Sequence, residues 1–507
     1  MTHPRPEHNY MSSLPPSGSG CPYGQAKRLT VSNEDMREGP ERLYQAIRQQ
    51  YGPVVPIHLD PEGSTHGTPA WLVIGYNELR HVCQNETLFR RDSRHWRELV
   101  EGRVPADWLL LPQVKWRDNT RFADSPHHGP RRRALQEALK RVDLAQTQRL
   151  VASYADRLID QFVKAGSVEV IAAYAGPLPL QILASIFGLR EPTEQERLLG
   201  AIHRMLAGGQ QAQQADQEIA AILQGLVRDR RQRPQADLAS WLIEAAPGLG
   251  DAAVREELWL MLTAGAGATT YWVVNALHQL LTDTRLRNEF NSARLTLDAV
   301  MRATLWNAPP AENVMGAFAR QDTRLGGHHI KAGDMLVLSL GGANHDPALG
   351  SARDGYTASN DSHLAFGAGT HRCPDSAQDL GELIASQAIG RLWQRCPAMA
   401  LADPDQPLSW GPAIVVRALT ALPVQFIPSD PGARQGSVPS AFGVPSWPSQ
   451  STSSQTTSPH PPSSWPSPGP STASTPSPTT SRRRGGHSSA SGRSSLWHSL
   501  IRWRRGR

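Results

Sequence analysis

The stretch from Asp251 to about Thr282 restricts the fold more than any other part of this 507-residue chain. Its spacing of apolar residues predicts one uninterrupted helix with Asp251 as its N-cap. At 1.5 Å per residue, about 32 residues would run roughly 48 Å, so the helix must cross the whole molecule. Its middle, Ala264–Ala268, holds only Ala and Gly. The fold must therefore be mainly helical, wrapped around one long element with a bare centre.

The rest of the chain fits around that element. Residues 1–35 read as a flexible lead. Short strands follow, VVPIHL at 54–59 and AWLVIGY at 70–76, and helical periodicity then dominates from about 77 to 308. Within it, one helix is expected through Arg133–Leu139 and on past Val142, and another over Val168–Phe187, stopped by Gly188. Strands return at 328–340, where Gly333-Asp334 marks a turn, and a final strand pair ends near Phe426. The ordered domain is expected over 36–428.

From Ser429 the sequence turns to Ser, Pro and Thr with scattered Trp, which predicts disorder for 429–507. It ends in LWHSLIRWRRGR, a basic-aromatic piece that could touch anionic lipid only weakly without a second anchor. Residues 431–507 contain nine Arg and no acid, leaving 43 basic groups against 46 acidic ones in residues 1–430. The overall charge of +6 thus belongs to the tail, and the body has no basic excess that would suit nucleic acid. Four cysteines at unrelated spacings give neither a disulfide framework nor a C-x-x-C metal site. The first twenty residues lack an apolar h-region and no run of 18 apolar residues occurs, so a cytoplasmic protein without a spanning helix is expected.

The chemistry lies in H-L-A-F-G-A-G-T-H-R-C, residues 363–373. A thiolate needs a positive, amide-rich setting, and glycine turns expose backbone N–H groups that supply one. Gly367 and Gly369 permit a tight loop where a side chain would strike a flat ligand. His371 can offer a donor to an anionic group on that ligand. Helical sequence follows at once over Ser376–Leu392, which places the sulfur near a helix N-terminus. A cysteine thiolate serving as the proximal ligand of haem iron fits these features.

F-G-A-G-T-H-R-C resembles the haem-binding signature of the cytochrome P450 superfamily. The resemblance covers about 36–428 and includes PPAENV, RLGGHHIKAGDMLVLSLGGANHDP and RALTALPVQF in family order. It implies the mainly α cytochrome P450 fold with a smaller β portion, as in soluble actinobacterial-type members. It also implies haem b, with Cys373 as axial ligand, Phe366 packed near the sulfur, Gly367 in the loop and His371 on a propionate. HHGPR at 127–131 and Arg132 supply the family's H-x-x-x-R element, His128 and Arg132, whose side chains also meet propionates. The long helix would carry the oxygen-binding segment, with Thr269 donating a hydrogen bond or organising a water relay. The bare centre suits either a flat cofactor or close helix packing.

The departures from the family are systematic. The acid that usually precedes the threonine pair is Ala268 here. Counting back from Pro309-Pro310 puts the arginine of the family's E-x-x-R pair at Trp306 and its glutamate at Ala303, and the third partner falls at about Ala358. Removing one member would strand a buried charge at about 3–5 kcal/mol, whereas replacing all of them leaves nothing unpaired. The pattern resembles a subgroup of the superfamily that lacks E-x-x-R. An arginine often found at Ala317 is missing, and Pro374-Asp375 follows the cysteine where glycine is usual at the second position.

The expected function is a haem-thiolate monooxygenase that inserts one oxygen atom into a small apolar substrate, with electrons from ferredoxin and its reductase. Arg131–Arg133 and Arg372 are candidates for the docking face. The alternative is a haem-binding relative with weak or no turnover, acting as a sensor or assembly partner. A helical protein without cofactor is the third reading. Trp96, Trp108 and Trp116 suit either a pocket wall or core.

Overall fold

Short β-branched runs and long helical runs separate cleanly in the computed structural model, which describes residues 28–37, 39–60, 67–207, 210–353, 360–411 and 414–430. These residues lie within one compact unit, Met1–Pro445. The expectations for Cys21, Ala358, most of the 1–35 lead and the tail from 431 onward concern residues outside those described.

The strands assemble mainly into one six-stranded sheet, in the order Leu29–Val31, Val54–Leu59, Thr68–Val73, Met335–Ser339, Asn313–Ala319 and Phe89–Arg90. Met335–Ser339 is buried along its whole length because it lies between a parallel neighbour, Thr68–Val73, and an antiparallel one, Asn313–Ala319. Gly333 turns into it with φ +79°. The expected two-strand ending is one edge of a second sheet, in which Pro423–Gln425 pairs with both Ala400–Leu401 and Ser167–Glu169.

The long helix spans Asp251–Thr282 as the spacing predicts. Leu258, Leu262, Val273, Val274, Leu277 and Leu280 are fully buried along it. Each contributes about 1.5–3 kcal/mol over leaving the side chain in water. Asp251 is not its cap. Gly250 takes that position, and the Asp251 carboxylate instead accepts a 3.0 Å bond from Arg231 Nε.

The helix expected over Val168–Phe187 is divided. Val168 pairs with Val424 in the second sheet, Ile171–Ala175 forms a wide turn closed by Gly176 N–H to Ile171 O (2.8 Å), and the α-helix proper is Pro177–Phe187. Pro177 and Pro179 cannot donate backbone bonds, so a helix can begin there but not run through from Val168. Gly188 ends it with φ +108°, as expected.

The tryptophans resolve as structure. Trp96 and Trp108 pack on each other (5.9 Å) in the sheet's core, with Phe318 against Trp96, while Arg94 covers Trp116.

One buried acid on the long helix has a measurable consequence. Glu257 is 1% exposed, accepts from Thr120 Oγ1 (2.9 Å) and lies 3.5 Å from Arg131, but its second oxygen has no partner. Burial pushes its carboxyl up to about 7 from 4.5. A raised carboxyl keeps its proton in the folded state after the unfolded chain has lost its own. Stability is therefore undiminished below pH 4.5 and falls as pH rises toward 7, by about 3 kcal/mol in all. Glu257→Gln is expected to raise the melting temperature clearly at pH 8 and hardly at pH 4.5; equal shifts at both would contradict this account.

Candidate active site

The cysteine loop is closed by its own backbone. Gly367 N–H donates to Leu364 O (2.7 Å), Arg372 N–H to Gly369 O (3.1 Å) and Cys373 N–H to Phe366 O (2.9 Å). Gly367 and Gly369 hold φ +75° and +66°, a region that favours glycine. A Cβ on Gly369 would stand 2.0 Å from Cys83 O, so the loop also presses on the Tyr76–Gln84 helix. Gly369→Ala adds about 1–3 kcal/mol of backbone strain to that collision. It is expected to lower both melting temperature and the cofactor's absorbance per protein; an unchanged protein would refute the packing described.

Pro374 precedes the Asp375–Arg395 helix, and Asp375 lies in its first turn, paired with Arg372 at 2.6 Å. Gln378 Nε2 donates to Cys373 O (2.6 Å) and fixes the residue from the helix side. Burial pushes the Cys373 thiol up to about 11, against the opposing pull of Arg132 and Arg372. Deprotonation must therefore be driven by whatever binds the sulfur.

His128 and His371 come together, with ring centroids 4.0 Å apart. His128 begins the His128–Lys140 helix and is 4% exposed, and its Nε2 is buried without a partner. Arg132, one turn on, donates to Arg372 O of the cysteine loop. Burial, then Arg91, His128 and Arg132, lowers His371 to about 2, so the ring is neutral. Arg91 and Glu86 belong to this cluster and were missed from sequence. They sit in the run just past the Tyr76–Gln84 helix, and no motif marks them. Of the proposed docking arginines, Arg131 turns inward to Asp118 (2.6 Å) and Glu257, Arg372 is engaged by Asp375, and Arg133 is exposed.

Where the missing charges would stand, neutral contacts hold the loop. Trp306 is 1% exposed and Ala303 is fully buried on the Leu297–Asn307 helix. Trp306 Nε1 donates to Asn360 O (2.9 Å), and its ring meets His363 edge-on at 5.8 Å. Asn344 donates to Leu305 O (3.0 Å) and accepts from Leu364 N–H (2.8 Å), tying that helix to the start of the loop. Arg302 pairs with Asp361 instead of a buried glutamate (2.6 Å).

On the long helix, Ala264, Ala268 and Trp272 recur every four residues and share one stripe. Trp272 meets Phe366 of the loop at 5.9 Å, so the stripe runs along the loop's side of the helix. Ala264 and Ala268 are exposed, and a Cβ on Gly267 would meet nothing within 4 Å. Thr270 is committed to Ala175 O (3.0 Å). Thr269 is buried against Gly381 of the cysteine helix, and its hydroxyl makes no hydrogen bond among the described residues.

No protein-family model matches the chain. The chain is 27% identical over 409 residues to the cytochrome P450 monooxygenase PikC of Streptomyces venezuelae, covering 78% of this chain and 94% of that one. It is 26% identical over 422 residues to the 2-hydroxy-5-methyl-1-naphthoate 7-hydroxylase of Streptomyces carzinostaticus, covering 80% and 98%. The chain is a cytochrome P450 monooxygenase. Its P450 fold matches CYP154A1 of Streptomyces coelicolor A3(2) with a TM-score of 0.67 at 24% identity, over 79% of this chain and 100% of that one.

A P450 carries haem, and the residues present fit it. An orphaned buried imidazole nitrogen on His128, two guanidinium groups nearby and a thiol under an uncluttered Ala/Gly stripe are what a flat dianionic ring with an iron centre requires. No helix among the described residues of this P450 is long and apolar enough to cross a membrane.

Proposed function

We propose that this P450 uses haem b to insert one oxygen atom from dioxygen into a small apolar organic substrate, drawing electrons from a ferredoxin and its reductase in the cytoplasm. The observation that supports this most is the placement of Cys373 at the end of a left-handed glycine loop, on the side faced by the bare stripe of the long helix. Thiolate-ligated haem supplies the redox centre at which dioxygen is reduced and its O–O bond split. Cys373 Sγ would hold the haem iron as a thiolate, and Gln378 and the Phe366 carbonyl keep its backbone fixed. Phe366 and Gly367 shape the loop around the sulfur. His128, His371 and Arg132, joined by Arg91, would hold the propionate edge. The Thr269 hydroxyl, unclaimed by other bonds, positions and passes a proton on the oxygen-binding side. Ala268 has no carboxyl to refill it, so that proton comes from water.

Substrate oxidation with a surrogate ferredoxin and reductase, and in parallel with hydrogen peroxide, tests the reading. Product from both is expected. Product from peroxide alone would place the defect in proton or electron delivery. No product from either, with the haem intact, would replace this reading by that of a haem protein without turnover.

The haem domain is assigned to 36–428. Deletion of 431–507 is expected to leave haem content and melting temperature unchanged, and a large loss of bound haem would move the boundary.

A further inference from the structure

Arg121 is a cation close to the site with no anion of its own. It lies in the short turn Thr120–Phe122, and Arg91 of the propionate cluster is the charge that bears on it. A guanidinium has five N–H donors. Nη2 donates to Gln113 O (3.0 Å), and the other donors find no hydrogen-bond acceptor among the described residues. No carboxylate there pairs with it. The side chain is only partly buried, yet desolvation, and then Arg91, lowers the guanidinium to about 10, so it stays charged at neutral pH. A cation that keeps open atoms while stripped of bulk water faces an interior space. An unpaired charge there is costly, and an incoming anion would relieve that cost.

The seat of the turn identifies the space. Thr120 Oγ1 is bonded to Glu257 (2.9 Å), and Glu257, Met261, Ala264 and Ala268 follow one another at spacings that share one helix face. The turn therefore sits on the face of the long helix that carries the bare stripe, about 10.5 Å before Ala264 along the axis. Arg91, which also acts on His371, places the same turn near the cysteine loop. We infer that Arg121 selects the substrate, taking a carboxylate on an otherwise apolar molecule that lies along the Ala264–Ala268 stripe. This rests on the P450 reading of the site and narrows its substrate class to organic acids. The planar fork of arginine can give a carboxylate two parallel bonds. The propionates have donors of their own in His128, His371, Arg132 and Arg91, which leaves Arg121 for a second anion. The apolar body of the acid would meet Ala264, Ala268 and the open side of Gly267.

The test titrates the haem-loaded full chain with dodecanoate and with 4-phenylbutanoate, each against its methyl ester, and follows the Soret band. In the wild type at least one acid is expected to bind tenfold or more tightly than its ester. Arg121→Gln should bring acid and ester level, with ester affinity and haem per chain unchanged, and Arg121→Lys should restore part of the preference. No acid preference in either pair, or one that survives in Arg121→Gln, overturns the proposal. Loss of haem from Arg121→Gln would assign Arg121 to a propionate and overturn it equally. A chain without haem whose tryptophan fluorescence still reports acid over ester, and does so through Arg121, would overturn the P450 reading and leave the anion site standing.

Discussion

Replacing Cys373 by Ala is expected to abolish the strongly red-shifted Soret band that the reduced, carbon-monoxide-bound protein should show. The shift reports thiolate ligation of the iron, and among the described residues only the Cys373 sulfur is placed to provide it. Cys396 is fully buried at the far end of the Asp375–Arg395 helix, about 30 Å away along its axis. Burial pushes its thiol up to about 12, further from ionisation than Cys373. Cys83 is nearer, since its carbonyl backs onto Gly369, but its sulfur is buried on the apolar side of its own helix and faces Arg91 at 3.8 Å. An unchanged spectrum in Cys373→Ala would mean that another cysteine ligates the iron and that the site has been misplaced. An unshifted band in the wild type would mean a protonated or displaced thiolate.

The second large effect is expected at Trp306. The family places an arginine here, so Trp306→Arg looks like a restoration, yet it should destabilise. The new guanidinium would enter a fully buried slot whose glutamate position is Ala303, and Asp361 already serves Arg302. An unpaired buried charge costs about 3–5 kcal/mol. The substitution also removes the bond to Asn360 and the contact with His363, so the urea midpoint should fall and haem should be lost more easily. Ala303→Glu together with Trp306→Arg should recover part of the loss, with a coupling of about 1 kcal/mol or more in the double-mutant cycle. A rise in stability for the single variant would contradict the account of a compensated replacement.

Sequence alone exposed the parts of this protein whose chemistry is local. The Asp251–Thr282 helix, the strand Val54–Leu59 and the glycine loop before Cys373 each carry their own signal in spacing or turn residues. The Val168–Phe187 stretch misled because its periodicity continues through a segment that a distant strand, Pro423–Gln425, captures as β-structure. Asp251 suited an N-cap by type, but Arg231 took its carboxylate. Arg131 reads as a surface charge until the buried Glu257 draws it inward. Glu86 and Arg91 had no signal at all. Their part in the site comes only from the packing of their segment on Gly369, a contact no spacing rule encodes.

The joining of Arg132 to Arg372 links residues 240 positions apart, with Cys373 one residue further on. At about 5–20 residues per second, a ribosome needs roughly 12–48 s to go from the first to the second. During that interval the nascent chain already holds Glu86, His128 and Arg132 but neither His371 nor the sulfur. Haem capture is therefore confined to the last stage of synthesis or after release. The growing chain must keep half a charged cradle in solution until its partner loop arrives.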